Sequence, residues 1–431
     1  HRCSLHRHAC GSRVRTGRGL GGVLARRDPY IVGLDVGTTK VCAVIGEPTD
    51  DNDLEVIGVG VADSDGQKKG SVVDVDSTVE SIKSAIEEAE LMAGTSVDRA
   101  YIGIAGAHIR GFNSRGAVTV NGRAREITEE DIRRVVDAAR ALDLPPDREL
   151  LHLLPREFSV DEQGDIVDPL GMSGSRLEVE VHLVVGALSA IQTLVTCVNR
   201  AGIEAHGIVL EQLASNEAVL TDDERELGVA LVDIGGGTTD LICLVDGSVC
   251  HTAVLPAGGD HLTNDIAVGL STPITEAEVL KVSHGCVEPS LIDPEQAIEI
   301  PGIGGRGPRL LARGRLCEIL QPRAIEILDL VANELHRAGF LDQLNAGLVL
   351  TGGGSLVDGF PELTEQRFGL PVRQGQPIGI EGLIDIVSSP IYSTAVGLVL
   401  YGHYNRDAGT HFKPNGGGWR GWLGGWLGDL F

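Results

Sequence analysis

Two stretches far apart in the chain carry the same short design. They are YIVGLDVGTTKVCAVIGE at 30–47 and GVALVDIGGGTTDLICLVDG at 228–247. Each runs apolar strand, aspartate, glycine turn, Thr-Thr, charged residue, apolar strand, and so predicts a β-hairpin. An echo at this separation predicts two related halves, each opening on an equivalent hairpin. The matching letters pair Asp35 with Asp233 and Thr38-Thr39 with Thr238-Thr239. A chain of 431 residues has room for two or more such compact units.

Between the echoes, the spacing predicts a helix over 77–94 and a short strand at YIGIAG, 101–106. A helix follows at 127–142, opened by Thr128 and a run of acids that suit a helix start. LEVEVHLVVGA (177–187) predicts a strand running into a helix over 187–202, and the block at about 110–192 reads as a small α/β insertion. GIVLEQLASNEAVL (207–220) predicts a strand leading into a helix. The second half shows a glycine turn at PAGGDHLTNDIAVGL (256–270) and a helix at 275–285, then extended segments running into a long helix. GLVLTGGGSL (347–356) predicts a buried strand before another helix, and SSPIYSTAVGLVLYG (388–402) closes the folded part. Strands alternating with helices imply α/β layering.

Three glycine-rich turns are candidates for nucleotide contact. In DVGTTK (35–40) and DIGGGTTD (233–240) the glycines admit a phosphate close to the backbone, where N–H groups and threonine hydroxyls donate to its oxygens. Asp35 and Asp233, each at the end of a strand, face one cleft from opposite walls in this reading. Two carboxylates placed so suit a hydrated Mg²⁺, which prefers oxygen ligands and keeps several waters. The third turn, TGGGS (351–355), follows a strand and opens a helix, a placement suited to a nucleoside and its α-phosphate. The chain has neither G-x-x-x-x-G-K-[ST] nor a G-x-G-x-x-G following a strand, so the commoner nucleotide signatures do not apply.

The tail, GGGWRGWLGGWLGDLF, holds all three tryptophans of the chain. Trp419, Trp422, Leu423, Trp426, Leu427, Leu430 and Phe431 fall on one helical face, with Arg420, Asp429 and four glycines on the other. Each glycine costs about 0.5–1 kcal/mol relative to alanine in a helix, so the segment is expected to order only on a surface. Trp and Leu above a small polar face predict a helix lying on a membrane rather than spanning it. HYNRDAGTHFKPNGGG reads as the flexible linker to it. No stretch approaches the roughly 18–20 uninterrupted apolar residues that spanning requires. At a formal charge of −25, the chain would be repelled by nucleic-acid phosphates, which argues against general nucleic-acid binding. The eight cysteines are scattered without a C-x-x-C pair, and Cys42, Cys197, Cys243 and Cys317 lie in apolar runs, which predicts a reducing compartment without disulfides or zinc. The Arg-rich first 28 residues are read either as a targeting segment or as a boundary region, and as disordered.

The set of three turns in this order matches the actin/Hsp70/sugar-kinase superfamily. Within it the chain closely resembles the FtsA family of bacterial cell-division proteins from about residue 29 to 431, on VGLDVGTTK, LEQLASNEAVL, LVDIGGGTTDL, PAGGDHLTNDIA, IPGIGGRGPR, VLTGGGSLVDG and the Trp-rich tail. The resemblance implies an α/β, actin-like (ribonuclease-H-like) fold: duplicated domains around a nucleotide cleft, with an inserted α/β subdomain and a C-terminal amphipathic helix. It implies subdomain 1A from 29–109 with 193–227 and 388–404, an inserted 1C at 110–192, domain 2 at 228–387 with 2B at about 264–318, a linker at 405–418 and a membrane helix at 419–431. LEQLASNEAVL and STAVGLVL would be the helices connecting the halves. ATP with Mg²⁺ would bind Asp35, Gly37, Thr38, Thr39 and Lys40 in the first loop and Asp233, Gly235, Gly236, Gly237, Thr238 and Thr239 in the second. Gly258 and Gly259 join this set, and Gly352, Gly353 and Gly354 stand at the adenosine end. Asp35 and Asp233 would hold the metal through water, and Asp233 would position attacking water, with hydrolysis weak or undetectable. Glu278 and Lys281, one helical turn apart, either touch ribose or base or form a solvated pair. The resemblance also implies protofilaments on the cytoplasmic face of the inner membrane at the division site, with the FtsZ ring, later divisome proteins and membrane lipids as partners. Two alternatives in the superfamily are a PilM-like pilus-assembly scaffold, against which the terminal helix argues, and an ATP-dependent sugar-type kinase, for which no spare substrate domain is evident.

Overall fold

The structure, a computed structural model, describes residues 30–49, 53–121, 125–141, 144–300 and 307–405. Strands β1 (Ile31–Val36) and β2 (Lys40–Pro48) form the first hairpin, and β3 (Leu54–Asp63) extends it antiparallel. Helix α1 (Val75–Ala93) starts where Asp74 accepts the Ser77 N–H at 3.0 Å and ends at Gly94 in the left-handed conformation. Strand β4 (Arg99–Ile104) then lies parallel to β1.

The chain leaves this sheet to build a second, smaller layer. β5 (Arg110–Thr119), helix α2 (Glu129–Arg140), β6 (Arg148–Val160), β7 (Gln163–Ile166) and β8 (Arg176–Ala187) give a four-stranded antiparallel sheet in the order β5-β8-β6-β7. Thr128 and Asp131 cap α2 reciprocally, and Ile132, Val135, Val136 and Ala139 bury its inner face in a core of its own. Helix α3 (Leu188–Arg200) returns the chain to β9 (Glu204–Leu210), parallel to β4.

Helix α4 (Glu211–Val219) and the short α5 (Asp222–Leu227) lead into the other half. There β10 (Val229–Ile234), β11 (Thr239–Val245) and β12 (Ser248–Leu255) repeat the opening meander. Helices α6 (Gly259–Leu270), α7 (Ile274–His284) and α8 (Arg313–Ala338) precede β13 (Gly347–Thr351), α9 (Phe360–Phe368) and β14 (Val372–Gln374). The last described helix is α10 (Ser393–Tyr404). The stretch 256–270, expected as a glycine turn, is a turn only at its start; most of it is α6.

The duplication is structural. The first sheet runs β3-β2-β1-β4-β9 and the second β12-β11-β10-β13-β14, each with two antiparallel pairings followed by two parallel ones. β10 is apolar at nearly every position because both faces are covered. Val229 and Leu231 face the core shared with the first half, while Ala230, Val232 and Ile234 face the second core. Between the halves, α4 and α10 cross so closely that a Cβ on Gly397 would lie 1.9 Å from the Ala214 carbonyl oxygen. The insertion also touches the far edge of the second sheet. His182 on β8 bonds Asn113 (2.6 Å) and Thr252 on β12 (2.9 Å), and burial pushes its imidazole down to about 3, so it is neutral. Six described cysteines are buried and unbridged, Cys42, Cys197, Cys243 and Cys317 among them. No helix among the described residues is long and apolar enough to cross a membrane.

Candidate functional site

The two echoed turns have equal length. Gly37 N–H donates to the Lys40 carbonyl at 3.0 Å, and Gly235 N–H donates to the Thr238 carbonyl at 2.9 Å. Asp35 and Asp233 therefore occupy equivalent places, but the two Thr-Thr pairs do not. Thr38 and Thr39 form the tip of the first turn, whereas Gly236 and Gly237 form the tip of the second. Thr238 and Thr239 lie behind that tip: Thr238 Oγ1 donates to Asp240 (3.0 Å) and Thr239 Oγ1 to the Ala257 carbonyl (2.8 Å). The expected equivalence of the Thr-Thr pairs is corrected accordingly, and Thr239 shapes its loop rather than offering its hydroxyl to a ligand.

The tips meet across the cleft. A Cβ on Gly236 would lie 1.9 Å from Thr39 Oγ1, and one on Gly237 would lie 2.7 Å from Thr38 Oγ1. Missing side chains on one tip make room for hydroxyls on the other. Thr39 Oγ1 also reaches Asp260 on α6 at 3.4 Å. Behind the tips, α6 begins against the second turn: Gly259 N–H donates to Gly235 O (2.8 Å) and Asp260 N–H to Gly236 O (2.9 Å), while Gly258 sits 2.6 Å, measured from its absent Cβ, from both carbonyls.

Carboxylates gather at the root of the turns. Asp35, Asp233 and Asp240 are buried, and Glu211 opens α4 beside them. Lys40 Nζ pairs with Asp35 at 3.4 Å. Asp233 Oδ2 accepts from Ser215 on α4 (2.7 Å) and Thr394 on α10 (3.3 Å), so one carboxylate joins the end of β10 to both connecting helices. Burial, then the neighbouring carboxylates, hold Asp240 up to about 8 and Glu211 well above the usual range. Burial and Asp35 likewise lift Asp233 to about 6 against its two hydroxyl donors. Among the described residues, no three His, Cys, Asp or Glu side chains converge to hold a metal directly. Asp240 Oδ1 and Gln212 Oε1 are buried without a protein partner. Excess negative charge, missing direct ligation and orphaned oxygens fit a hydrated cation held through water by Asp35 and Asp233. Sequence reading passed over Glu211, Asp240 and Ser215, although all three lie inside the stretches it singled out.

These protonations set a pH dependence. An unfolded carboxylate loses its proton near 4, whereas Asp233 keeps it to about 6 and Asp240 to about 8. Over that window the folded chain holds protons that the unfolded chain has released. Their stabilisation is present at low pH and is lost as pH rises through those values. The melting temperature of the ligand-free chain is expected to fall between pH 6 and 8.5, as read by thermal unfolding, and Asp240→Asn should remove most of that fall. A wild-type melting temperature flat across the window would contradict the assignment.

The third turn lies against the same root. Gly352 has φ +79°, and its absent Cβ would sit 2.2 Å from Asp233 Oδ1. Gly354 abuts Ile234, and Gly353 faces Ile391. The turn opens a single 3₁₀ turn, Gly353–Leu356, rather than an α-helix; α9 begins only after Gly359 supplies a second left-handed residue. Lys281 is buried and donates to Thr263 Oγ1 (2.8 Å) and Gly259 O (3.3 Å), pairing with half-exposed Glu278 at 2.7 Å. A Cβ on Gly259 would meet Lys281 Nζ at 3.4 Å and Gly354 Cα at 3.8 Å. Lys281 is therefore packed between the second and third turns, and the reading of a solvated pair does not hold for it. The structure thus brings the expected turn residues of both halves together. Trp419, Trp422, Leu423, Trp426, Leu427, Leu430 and Phe431 lie outside the described residues, as do residues 1–28 and the linker beyond Asn405.

Duplicated mixed sheets, Asp-bearing turns facing each other and two crossing helices define an actin-like protein. Solved structures share this fold. The PilM–PilN type IV pilus biogenesis complex aligns at TM-score 0.63 and 17% identity over 86% of this chain and 98% of that one, and MreB5 of Spiroplasma citri bound to ADP at TM-score 0.51 and 14% identity over 88% and 98%. The family profile "Cell division protein FtsA" matches residues 230–397, and "SHS2 domain inserted in FTSA" matches 106–185. The chain is 49% identical to cell division protein FtsA of Pseudomonas aeruginosa, over 90% of this chain and 92% of that protein. Against FtsA of Escherichia coli (strain K12) it is 39% identical, over 92% and 97%. The chain belongs to the FtsA family of cell-division proteins.

Proposed function

We propose that this chain is an ATP-binding adaptor of cell division that polymerises on the cytoplasmic face of the inner membrane, anchoring and recruiting the FtsZ ring and later divisome proteins. The observation that carries the nucleotide part is the meeting of the two tips, one from each half, above a buried carboxylate cluster. A phosphate chain placed there touches both halves at once, and Asp233 ties the same point to α4 and α10. Occupancy would then be felt as the relative setting of the halves. Thr38, Thr39, Gly236 and Gly237 would bind phosphates, Lys40 and the backbone of Gly37 and Gly235 would hold the turns, and Gly352–Gly354 with Lys281 would border the adenosine. Bound Mg²⁺ would neutralise charge on the phosphates and on the cluster, held through water by Asp35 and Asp233. Asp233, buried and pinned by two hydroxyls, is placed to orient water slowly rather than to turn over fast.

Membrane attachment rests on the tail. A single glycine-bearing helix of this length binds weakly, so a filament carrying many tails would attach by avidity, coupling polymerisation to the membrane. The nucleotide part is tested by titrating the full chain with a fluorescent ATP analogue in Mg²⁺. Saturable binding displaced by unlabelled ATP is expected; a flat titration would remove the basis of the reading.

A further inference from the structure

Between β3 and α1 a two-residue hairpin, Gln67–Lys68 paired with Ser71–Val72, turns on Lys69 and Gly70. Both turn residues have positive φ, +51° and +71°, as a tight primed turn requires. Asn, Asp or Gly suits the first of these positions; lysine, with no side chain able to bond its own backbone there, is strained. A residue held in such a conformation points to a role that outweighs the strain.

The position of the turn suggests the role. Gly70 N–H donates to Thr38 Oγ1 at 3.2 Å, on the tip of the first turn. A Cβ on Gly237, on the tip of the second, would lie 3.0 Å from both Lys69 N and Lys69 Cα. The hairpin is therefore seated on both tips at once. The third turn meets the site at its root instead, against Asp233, Ile234 and Gly259. The Lys69 side chain is exposed, and its ammonium has no hydrogen bond or ion pair among the described residues.

We propose that Lys69 binds the terminal phosphate of the nucleotide, its backbone clipped to both phosphate-facing tips and its ammonium left uncommitted for that contact. This rests on the nucleotide reading above. With the adenosine at the root, the outermost phosphate reaches the tips, where Lys69 supplies a cation to a site otherwise rich in carboxylates. A charge-assisted bond to phosphate is among the stronger polar contacts.

The test separates charge from turn geometry. Lys69→Asn installs the residue that favours this turn next to Gly70, so the folded chain should be at least as thermostable as wild type while lacking the cation. In Mg²⁺ titrations of the full chain, Lys69→Asn should lose about tenfold or more in ATP affinity and change little for ADP. Lys69→Arg should keep most of the ATP affinity, and Lys68→Asn, with the same charge change on the adjacent residue, should match wild type. Lys69→Gly gives a second charge-free turn should the asparagine variant fold poorly. If wild type binds ATP and both charge-free variants bind it equally well, Lys69 does not hold the terminal phosphate, and the nucleotide reading stands without it. An equal loss for ATP and ADP would also overturn the assignment to the terminal phosphate. Wild type binding neither nucleotide would overturn the nucleotide reading itself, and this inference with it.

Discussion

Replacing Asp233 by alanine is expected to weaken Mg-ATP binding by roughly 30-fold or more, on the order of 2 kcal/mol, while the chain still folds. The carboxylate is proposed to hold the hydrated metal, and its loss leaves Ser215 and Thr394 without their shared acceptor. Such orphaned groups cost about 1–3 kcal/mol when buried. Against that, removing one of four crowded carboxylates relieves repulsion on Asp35, Asp240 and Glu211. The net change in stability is therefore small, and the loss falls on binding. Metal-free ATP should move the other way, because its own charge meets one carboxylate fewer. The affinity ratio with and without Mg²⁺ should shrink. Asp233→Asn keeps an acceptor for the two hydroxyls and removes the charge, so it should lose metal dependence with less loss of thermal stability. Nucleotide titration with and without Mg²⁺, beside thermal unfolding, reads all three effects. Both variants binding Mg-ATP like wild type would contradict the proposed site.

The second large effect concerns the joint between the halves. Gly397→Val places a side chain where Cβ alone would come 1.9 Å from the carbonyl oxygen and 2.3 Å from the carbonyl carbon of Ala214. Both contacts are with backbone, so only separation of α4 and α10 relieves them. Overpacking of this kind costs about 1–3 kcal/mol or more. Here it should reach the upper end and lower the melting temperature by several degrees. It should also weaken nucleotide binding, because Ser215 and Thr394 reach Asp233 from these same two helices. Leu91→Ala, on the exposed side of α1, should shift stability by no more than about 0.5 kcal/mol. A Gly397→Val chain as stable as wild type would mean that the crossing is looser than described.

Much of this architecture can be read from residues alone, and the failures are instructive. The repeated hairpin announced a duplication, and Asp35 and Asp233 did fall in equivalent places, because an aspartate one residue before a turn glycine is fixed by strand register. The Thr-Thr echo misled, since letter matching ignores turn length. The hydrogen bonds from Gly37 to Lys40 and from Gly235 to Thr238 set equal turns, which puts threonines at one tip and glycines at the other. Glu211 and Asp240 gave no local sign of their role. Each lies in an apolar run, and its meaning depends on where α4 crosses the second sheet, which is a tertiary fact. TGGGS promised an α-helix because a strand precedes it, but Gly352 and Gly359 in left-handed conformations allow only a 3₁₀ turn between them. Lys69 carries no motif at all; its strained backbone is visible only in three dimensions.

The central claim is that this FtsA-family chain attaches to membranes as a nucleotide-dependent polymer. The most direct measurement is liposome co-sedimentation of the full chain and of a chain lacking residues 416–431, each with and without Mg-ATP. The account predicts that the full chain pellets with liposomes and more so with Mg-ATP, and that the shortened chain stays in the supernatant while still binding ATP. Liposome binding that survives the deletion, or that is indifferent to Mg-ATP, would contradict it.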